Sequence, residues 1–248
     1  MKRNLLTLLS LFMIAQLQAQ KFEFTAQANT GLFHYSGNAT TSDSYILARP
    51  SEFQSYTNNP YGNKNAFSYG AALQAQYVTK GGFIAGLQAG YDILRSNEDI
   101  TKVYPNYIGS IDKGYYDFAA IYNTVSGHTH LQRQYINLSP YFGYRIKMKK
   151  VKLDLLPGFD IGFNTASHEY GKASTVDGMV YRTDLDRGTQ PADWRLKFTV
   201  QAGINKWGIF AGYAHGLTNF TANLLNDSPM ASTANSELFR VGISYRIL

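Results

Sequence analysis

The sequence predicts an all-β chain, an eight-stranded antiparallel up-and-down transmembrane β-barrel with short periplasmic turns and long extracellular loops. Three observations carry that reading. Apolar and polar residues alternate with period two in eight separate stretches. The connections between those stretches are alternately long and short. An export signal precedes the first of them.

The signal is MKRNLLTLLSLFMIAQLQAQ, with Lys2 and Arg3 ahead of an apolar stretch from Leu5 to about Ala15. That stretch is shorter than the roughly 20 residues a spanning helix needs, so it reads as a cleaved leader. Cleavage is expected after Ala19, dividing the chain into a signal peptide, 1–19, and a barrel domain, 20–248. Removing Lys2 and Arg3 takes the formal charge from +6 to +4.

The eight stretches follow in order. Residues 22–35 set Phe22, Phe24, Ala26, Ala28 and Leu32 against Glu23, Thr25, Gln27 and Asn29. Residues 66–78 alternate Phe67, Tyr69, Leu73 and Tyr77 with Ser68, Gly70, Gln74 and Gln76, and 82–94 alternate Phe83, Leu87, Tyr91 and Ile93 with Gly86, Gln88, Gly90 and Asp92. Residues 134–146 and 151–164 form a fourth and fifth pair of faces, with Pro140 and Pro157 mid-stretch. Proline removes a ladder donor, so bulges or bends are expected at both. Residues 193–205, 207–217 and 238–248 complete the set. These stretches are 11 to 14 residues long, against the roughly 9–11 that a tilted strand needs to cross a bilayer.

Tight connections at 79–81, 146–150 and 205–206 alternate with long ones at 36–65, 95–133, 165–192 and 218–237. An exported N-terminus and an even strand number place both termini in the periplasm. Aromatic residues on the apolar faces gather near the strand ends: Tyr77, Phe83, Tyr144, Trp207 and Tyr245 at the turns, and Phe67, Tyr91, Phe163, Trp194 and Phe239 at the loops. Two interfacial girdles account for that placement. A soluble sandwich or lipocalin-like barrel would hold its aromatics inside.

Composition agrees. Only 16% of the 248 residues are charged, against about 25% in an average soluble domain. Mean hydropathy is nevertheless −0.26, which excludes a helical membrane bundle. With no cysteine there is no disulfide, no thiolate metal site and no lipid-modified N-terminal Cys. Lys and Arg are scattered, so nucleic acid is not an expected partner.

An eight-stranded barrel has an interior just wide enough for side chains to fill. The inward faces carry Glu23, Asp92, Asp154 and Asp160 together with Arg145, Lys152, Arg195, Lys197, Arg240 and Arg246. Buried charges must be paired, so a structural ion-pair plug is expected rather than an open pore. The pore alternative would be a narrow path lined by the same basic residues.

Residues 134–163, QYINLSPYFGYRIKMKKVKLDLLPGFDIGF, pair a Y-x-x-x-P-x-x-x-x-Y strand with an L-x-x-G-x-x-x-G strand across a short turn. This hairpin resembles the central hairpin of the PorT-like outer-membrane β-barrel family. YAHGLTNF, 213–220, and FRVGISYRIL, 239–248, resemble that family's last hairpin. The resemblance implies a small barrel of OmpX or OmpA architecture in a Gram-negative outer membrane. It also implies an accessory role, since the family's namesake is implicated in a protein secretion and gliding apparatus. It supplies no catalytic residues. The chain departs from many outer-membrane barrels in ending on Leu248 rather than an aromatic residue.

The expected function is therefore a structural, accessory or binding role through the external loops, without enzymatic activity. Recognition candidates are Tyr45, Phe53, Tyr56 and Tyr61 in the first loop and Tyr104, Tyr107, Tyr115, Tyr116 and Tyr122 in the second, since Tyr among Asn, Ser and Gly suits adaptable contact. Expected partners are outer-membrane lipid, both lipopolysaccharide and phospholipid, and through the loops another envelope protein or a glycan. The alternative is a lipid-modifying enzyme using His215 near the outer leaflet, although no Ser stands at a spacing that would place a nucleophile beside it. His128 and His130 form an H-x-H pair in the second loop that would need Asp112 or Asp117 as a third ligand. Neither a metal nor a cofactor is expected.

Overall fold

The computed structural model describes residues 21–48, 55–105, 122–221 and 232–248. The expected signal peptide, 1–19, and the positions of Phe53, Tyr107, Asp112, Tyr115, Tyr116 and Asp117 lie outside these residues. None of the described residues belongs to a helix long and apolar enough to cross a membrane.

Eleven strands follow along the chain: β1 (Lys21–Ser36), β2 (Asp43–Leu47), β3 (Tyr56–Thr57), β4 (Lys64–Val78), β5 (Phe83–Tyr104), β6 (Asn123–Met148), β7 (Val151–Ser174), β8 (Val180–Asp186), β9 (Asp193–Ile204), β10 (Trp207–Gly216) and β11 (Asn235–Arg246). Eight of them close a ring in the order β1-β4-β5-β6-β7-β9-β10-β11, and β11 pairs back onto β1. Every pair in the ring is antiparallel. At the closure Ala28 faces Ile243 on one side and Ala71 on the other. Closure leaves the ring itself without an unpaired edge, which is what a hydrocarbon environment requires.

The two faces of the wall have opposite chemistry. Phe22, Leu73, Phe142, Ile209 and Ile243 point outward and are exposed, whereas Glu23, Gln74, Gln76, Asp160 and Arg195 point inward and are buried. At the turn end Phe83 packs edge-on to Tyr144 at 5.4 Å and Trp207 edge-on to Tyr245 at 4.9 Å. These rings belong to the lower girdle. The tight turns are set locally, with Lys149 (φ 43°) and Asn205 (φ 55°) in the left-handed region. Asn is among the non-glycine residues most often found there.

Three expectations need correction. β5, β6 and β7 run to Tyr104, from Asn123 and to Ser174, well beyond the ends read from the alternation. Above the membrane belt their outward residues become mostly polar, while their inward side mixes Leu94, Ile100, Val103, Val125 and Leu131 with Ser96, Glu98, Thr129, Ser167 and Glu169, so the pattern that marks a membrane strand is lost while the strand continues. The loops likewise contain structure. β2 pairs parallel to β5, β3 pairs with β2, and β8 pairs with β7. Lastly, no register shift accompanies either proline. The β6–β7 register is the same at Leu138↔Ile161, Tyr141↔Gly158 and Tyr144↔Leu155. Both prolines face lipid within a ladder held by the intervening residues. The bulge lies higher up, where Gln134 faces Ala166 and Tyr135 faces Asn164.

Candidate functional site

The lumen is filled in layers. Nearest the turns, the Arg145 guanidinium lies between two carboxylates. It donates to Glu23 at 2.9 and 2.8 Å and to Asp154 at 2.7 Å twice. Gln76 donates to the same Glu23 at 2.8 Å. Lys152 is half-buried at this mouth, and Arg246 places its Nε 3.5 Å from Glu23. Planar guanidinium forks meeting carboxylates in a water-poor space give the strong, bidentate form of the charge-assisted bond.

The middle layer is an amide relay. Lys197 donates to Gln88 (2.6 Å), Gln88 to Gln27 (3.0 Å), Gln27 to Gln74 (2.5 Å) and Gln74 to the Tyr141 hydroxyl (2.6 Å). Tyr141 fits because Gly86 faces it: a Cβ there would lie 2.3 Å from the hydroxyl. The cavity left in this layer is about 20 Å³, room for about one water. The upper layer centres on Asp160, which accepts from Ser139 (2.7 Å), Arg240 (2.9 Å) and Arg195 (3.2 Å). Arg240 also reaches Asp92 at 2.5 Å, and Arg195 reaches Asp193 at 2.8 Å. Asp193 was missed by sequence reasoning, although it has the same inward parity as Arg195.

Above these layers the mouth is sealed. Phe33, Tyr35, Tyr61, Leu94, Leu131, Tyr135, Phe220 and Leu238 form a buried apolar cluster. Arg133, buried among them, places its guanidinium 4.6 Å from the Phe220 ring centre and 5.3 Å from that of Tyr35. No carboxylate lies within ion-pair distance of it among the described residues. Tyr61 stacks on Phe220 at 6.3 Å, so this recognition candidate is buried in the seal.

The strands then rise into a cap at the loop end of the barrel. Ile46, Ile100, Val103, Val125 and Ala173 make its apolar core. Glu169 ties β3 to β7 by accepting from the Thr57 amide (2.8 Å) and hydroxyl (2.6 Å), and Arg187 donates to both Glu169 and the Thr57 carbonyl. Glu98 lies buried nearby and, among the described residues, its side chain accepts only from Thr129, at 3.0 Å. Burial, with the Glu169 charge adding to it, pushes its carboxyl up to about 8 despite that bond. Tyr45 meets Tyr104 edge-on at 5.1 Å, and the Arg187 guanidinium lies 5.6 Å from the Tyr56 ring centre.

All five histidines, His34, His128, His130, His168 and His215, lie on the outward face above the apolar belt. His34 and His215 flank Glu237 across three strands. The Nδ1 of His215 is 2.7 Å from Glu237 Oε1, and Ser36 donates to that same oxygen at 2.8 Å. The acid therefore stands between hydroxyl and imidazole. A nucleophilic serine needs its hydroxyl on the imidazole itself. His128 and His130 lie on β6 rather than in a loop, and the described residues contain no group of three or more His, Cys, Asp or Glu side chains able to hold a metal.

A sealed polar lumen inside an apolar, closed, aromatic-girdled wall matches what the sequence comparison returns. A family model for the outer membrane protein β-barrel domain matches residues 15–222. The chain belongs to that family. This outer-membrane barrel is thus an integral outer-membrane protein. Among solved structures, it is similar to Ail, the attachment invasion locus protein of Yersinia pestis, determined in complex with the heparin analogue sucrose octasulfate. That alignment has 13% identity, covers 93% of this chain and 100% of the other, and has a TM-score of 0.33. Neisserial surface protein A aligns at 12% identity over 90% of this chain and 96% of its own, with a TM-score of 0.34. No curated protein matches the sequence.

One further surface of the outer-membrane barrel is concave. On the outer face of β6, β7 and β8 an open groove of about 290 Å³ is lined by His128, His130, Tyr170, Lys172, Arg182 and Asp184. In register, His128 faces Lys172 and Lys172 faces Arg182; one row nearer the membrane, His130 faces Tyr170 and Tyr170 faces Asp184.

Proposed function

We propose that this protein is a sealed, non-enzymatic barrel whose work is done by its extracellular cap, as a PorT-like accessory or binding component of the envelope. The observation that carries the reading is the contrast along the barrel axis. Inside the membrane the lumen is filled by paired charges around a cavity of about 20 Å³, whereas three strands continue outward into a built structure. A pore would need a continuous aqueous path. A lipid hydrolase would need a serine hydroxyl on an imidazole, and Ser36, close to His215, bonds to Glu237 instead.

In this orientation both termini and the turns at Thr79–Gly82, Lys149–Lys150 and Asn205–Lys206 face the periplasm, and the cap faces outward. Amine labelling of intact cells with an impermeant reagent tests it. Lys102 and Lys172 are expected to react and Lys149 and Lys150 to remain unlabelled. Labelling of the turn lysines alone would overturn the orientation. Vesicles containing the purified protein are expected to release neither trapped dye nor fatty acid, and release of either would overturn the sealed, non-enzymatic reading.

A further inference from the structure

The row His128–Lys172–Arg182 puts two permanent cations and one ionisable ring side by side on adjacent strands. Like charges directly opposite in a sheet repel. Among the described residues no carboxylate lies within ion-pair distance of Lys172 or Arg182. The acids nearby are already engaged. Asp184 is 2.5 Å from His168 Nε2, Asp99 pairs with Lys64 at 2.5 Å, and Asp186 accepts from the Gly188 amide at 2.7 Å. Lys172 and Arg182 therefore stand without an ion-pair partner, with Asp99 opposite His128 at the far end of the row and Asp184 at the rim of the same groove.

One step toward the membrane, Tyr170 presents its ring in the same groove. The ring is flanked by His168 at 4.3 Å and His130 at 5.3 Å, with small tilts of 36° and 30°. Burial, reinforced by Arg95 and His128, lowers the affinity of His130 for a proton where it packs on Tyr170. The outcome is a short stack of rings beside the cationic row. The volume of about 290 Å³ falls at the lower edge of ligand sites, which run from about 300 to 1,000 Å³. That suits one or two sugar units better than a folded partner.

We propose that this groove binds an anionic saccharide, its sulfate or phosphate on Lys172, Arg182 and His128 and its ring against Tyr170. The proposal rests on the cap being extracellular and functional, and deepens that reading by naming a ligand class and a place. Two sources share the chemistry: the phosphorylated sugars of outer-leaflet lipopolysaccharide, and a free sulfated or phosphorylated polysaccharide.

The test is calorimetric titration of the full-length barrel in phosphatidylcholine nanodiscs with three probes: a dextran sulfate oligosaccharide, unsulfated dextran of the same length, and rough lipopolysaccharide before and after phosphatase treatment. Binding of the sulfated but not the neutral sugar is expected, weakened by salt. Lys172→Gln with Arg182→Gln should weaken it by about tenfold or more, and Tyr170→Leu by a few fold, while Lys149→Gln with Lys150→Gln leaves it unchanged. Stronger binding of intact than dephosphorylated lipopolysaccharide, relative to dextran sulfate, assigns the site to the cell's own lipid; the reverse assigns it to a free polysaccharide. Equal affinity in the groove variants, equal affinity for neutral dextran, or no binding of any probe would overturn the proposal. Surface labelling of Lys102 and Lys172 alongside such a result would leave the extracellular cap reading intact.

Discussion

The lumen and the cap are stacked segments of the same strands, yet they solve the problem of a buried interior in opposite ways. In the lumen every inward carboxylate has a cation: Glu23 and Asp154 share Arg145, and Asp160 and Asp92 share Arg240. In the seal and cap the inward side mixes apolar residues with buried polar ones, and two ionisable groups there are left under-paired. Arg133 rests on aromatic rings, and one oxygen of Glu98 has no partner among the described residues. The difference follows from what lies outside each wall. Where lipid takes the apolar face, the polar one must turn inward; where water surrounds the wall, an apolar core becomes available again.

That contrast is broken or sharpened by substitution. The largest effect is expected from Arg145→Ala, which leaves Glu23 and Asp154 buried without their shared partner and should cost about 3–5 kcal/mol, read from urea-dependent folding into vesicles and the heat-dependent shift in electrophoretic mobility. A loss below about 1 kcal/mol would mean that water reaches this layer.

Glu98→Gln should come next, and only in the cap. A carboxyl titrating near 8 when folded and near 4.5 when free holds more protons in the fold between those values. The contribution to cap stability is therefore full below about 4.5 and falls as pH rises toward 8, by on the order of 3–5 kcal/mol. Hydrogen exchange of β2 and β8 amides should accelerate between pH 6 and pH 9 beyond the intrinsic rate increase. In Glu98→Gln that excess should vanish, with β9 and β10 unaffected throughout.

Smaller still is Arg133→Met. An arginine with no carboxylate to abandon should be replaceable within about 1 kcal/mol, in contrast to Arg145. The smallest effect belongs to Lys64→Ala, which breaks an exposed pair with Asp99 and should change stability by about 0–1 kcal/mol.

The barrel was legible because period two is enforced over every lipid-facing residue: the parity that places Phe159 and Ile161 outward places Asp160 inward beside Arg195. The cap was not. Bulges between Ser44 and Tyr45, between Ile100 and Lys102, and opposite Gln134–Tyr135 shift the register, and at the same height the inward side mixes Ile46, Ile100, Val103 and Val125 with Ser96, Glu98, Thr129 and Glu169. Tyr61 therefore read as a surface residue and is buried, while Glu98, Glu169 and Arg187 carried no pattern at all. His128 and Arg182 are 54 positions apart with only strand pairing to bring them together, so their row is invisible until β8 is placed beside β7.

Paired charge closes the lumen, which leaves the cap as the proposed working surface. Single-channel recording of the purified wild-type protein in planar bilayers tests it most directly. The wild type is expected to leave the membrane silent, and replacement of Glu23, Arg145 and Asp154 together by alanine to give intermittent conductance. Steady conductance steps from the wild type would contradict it.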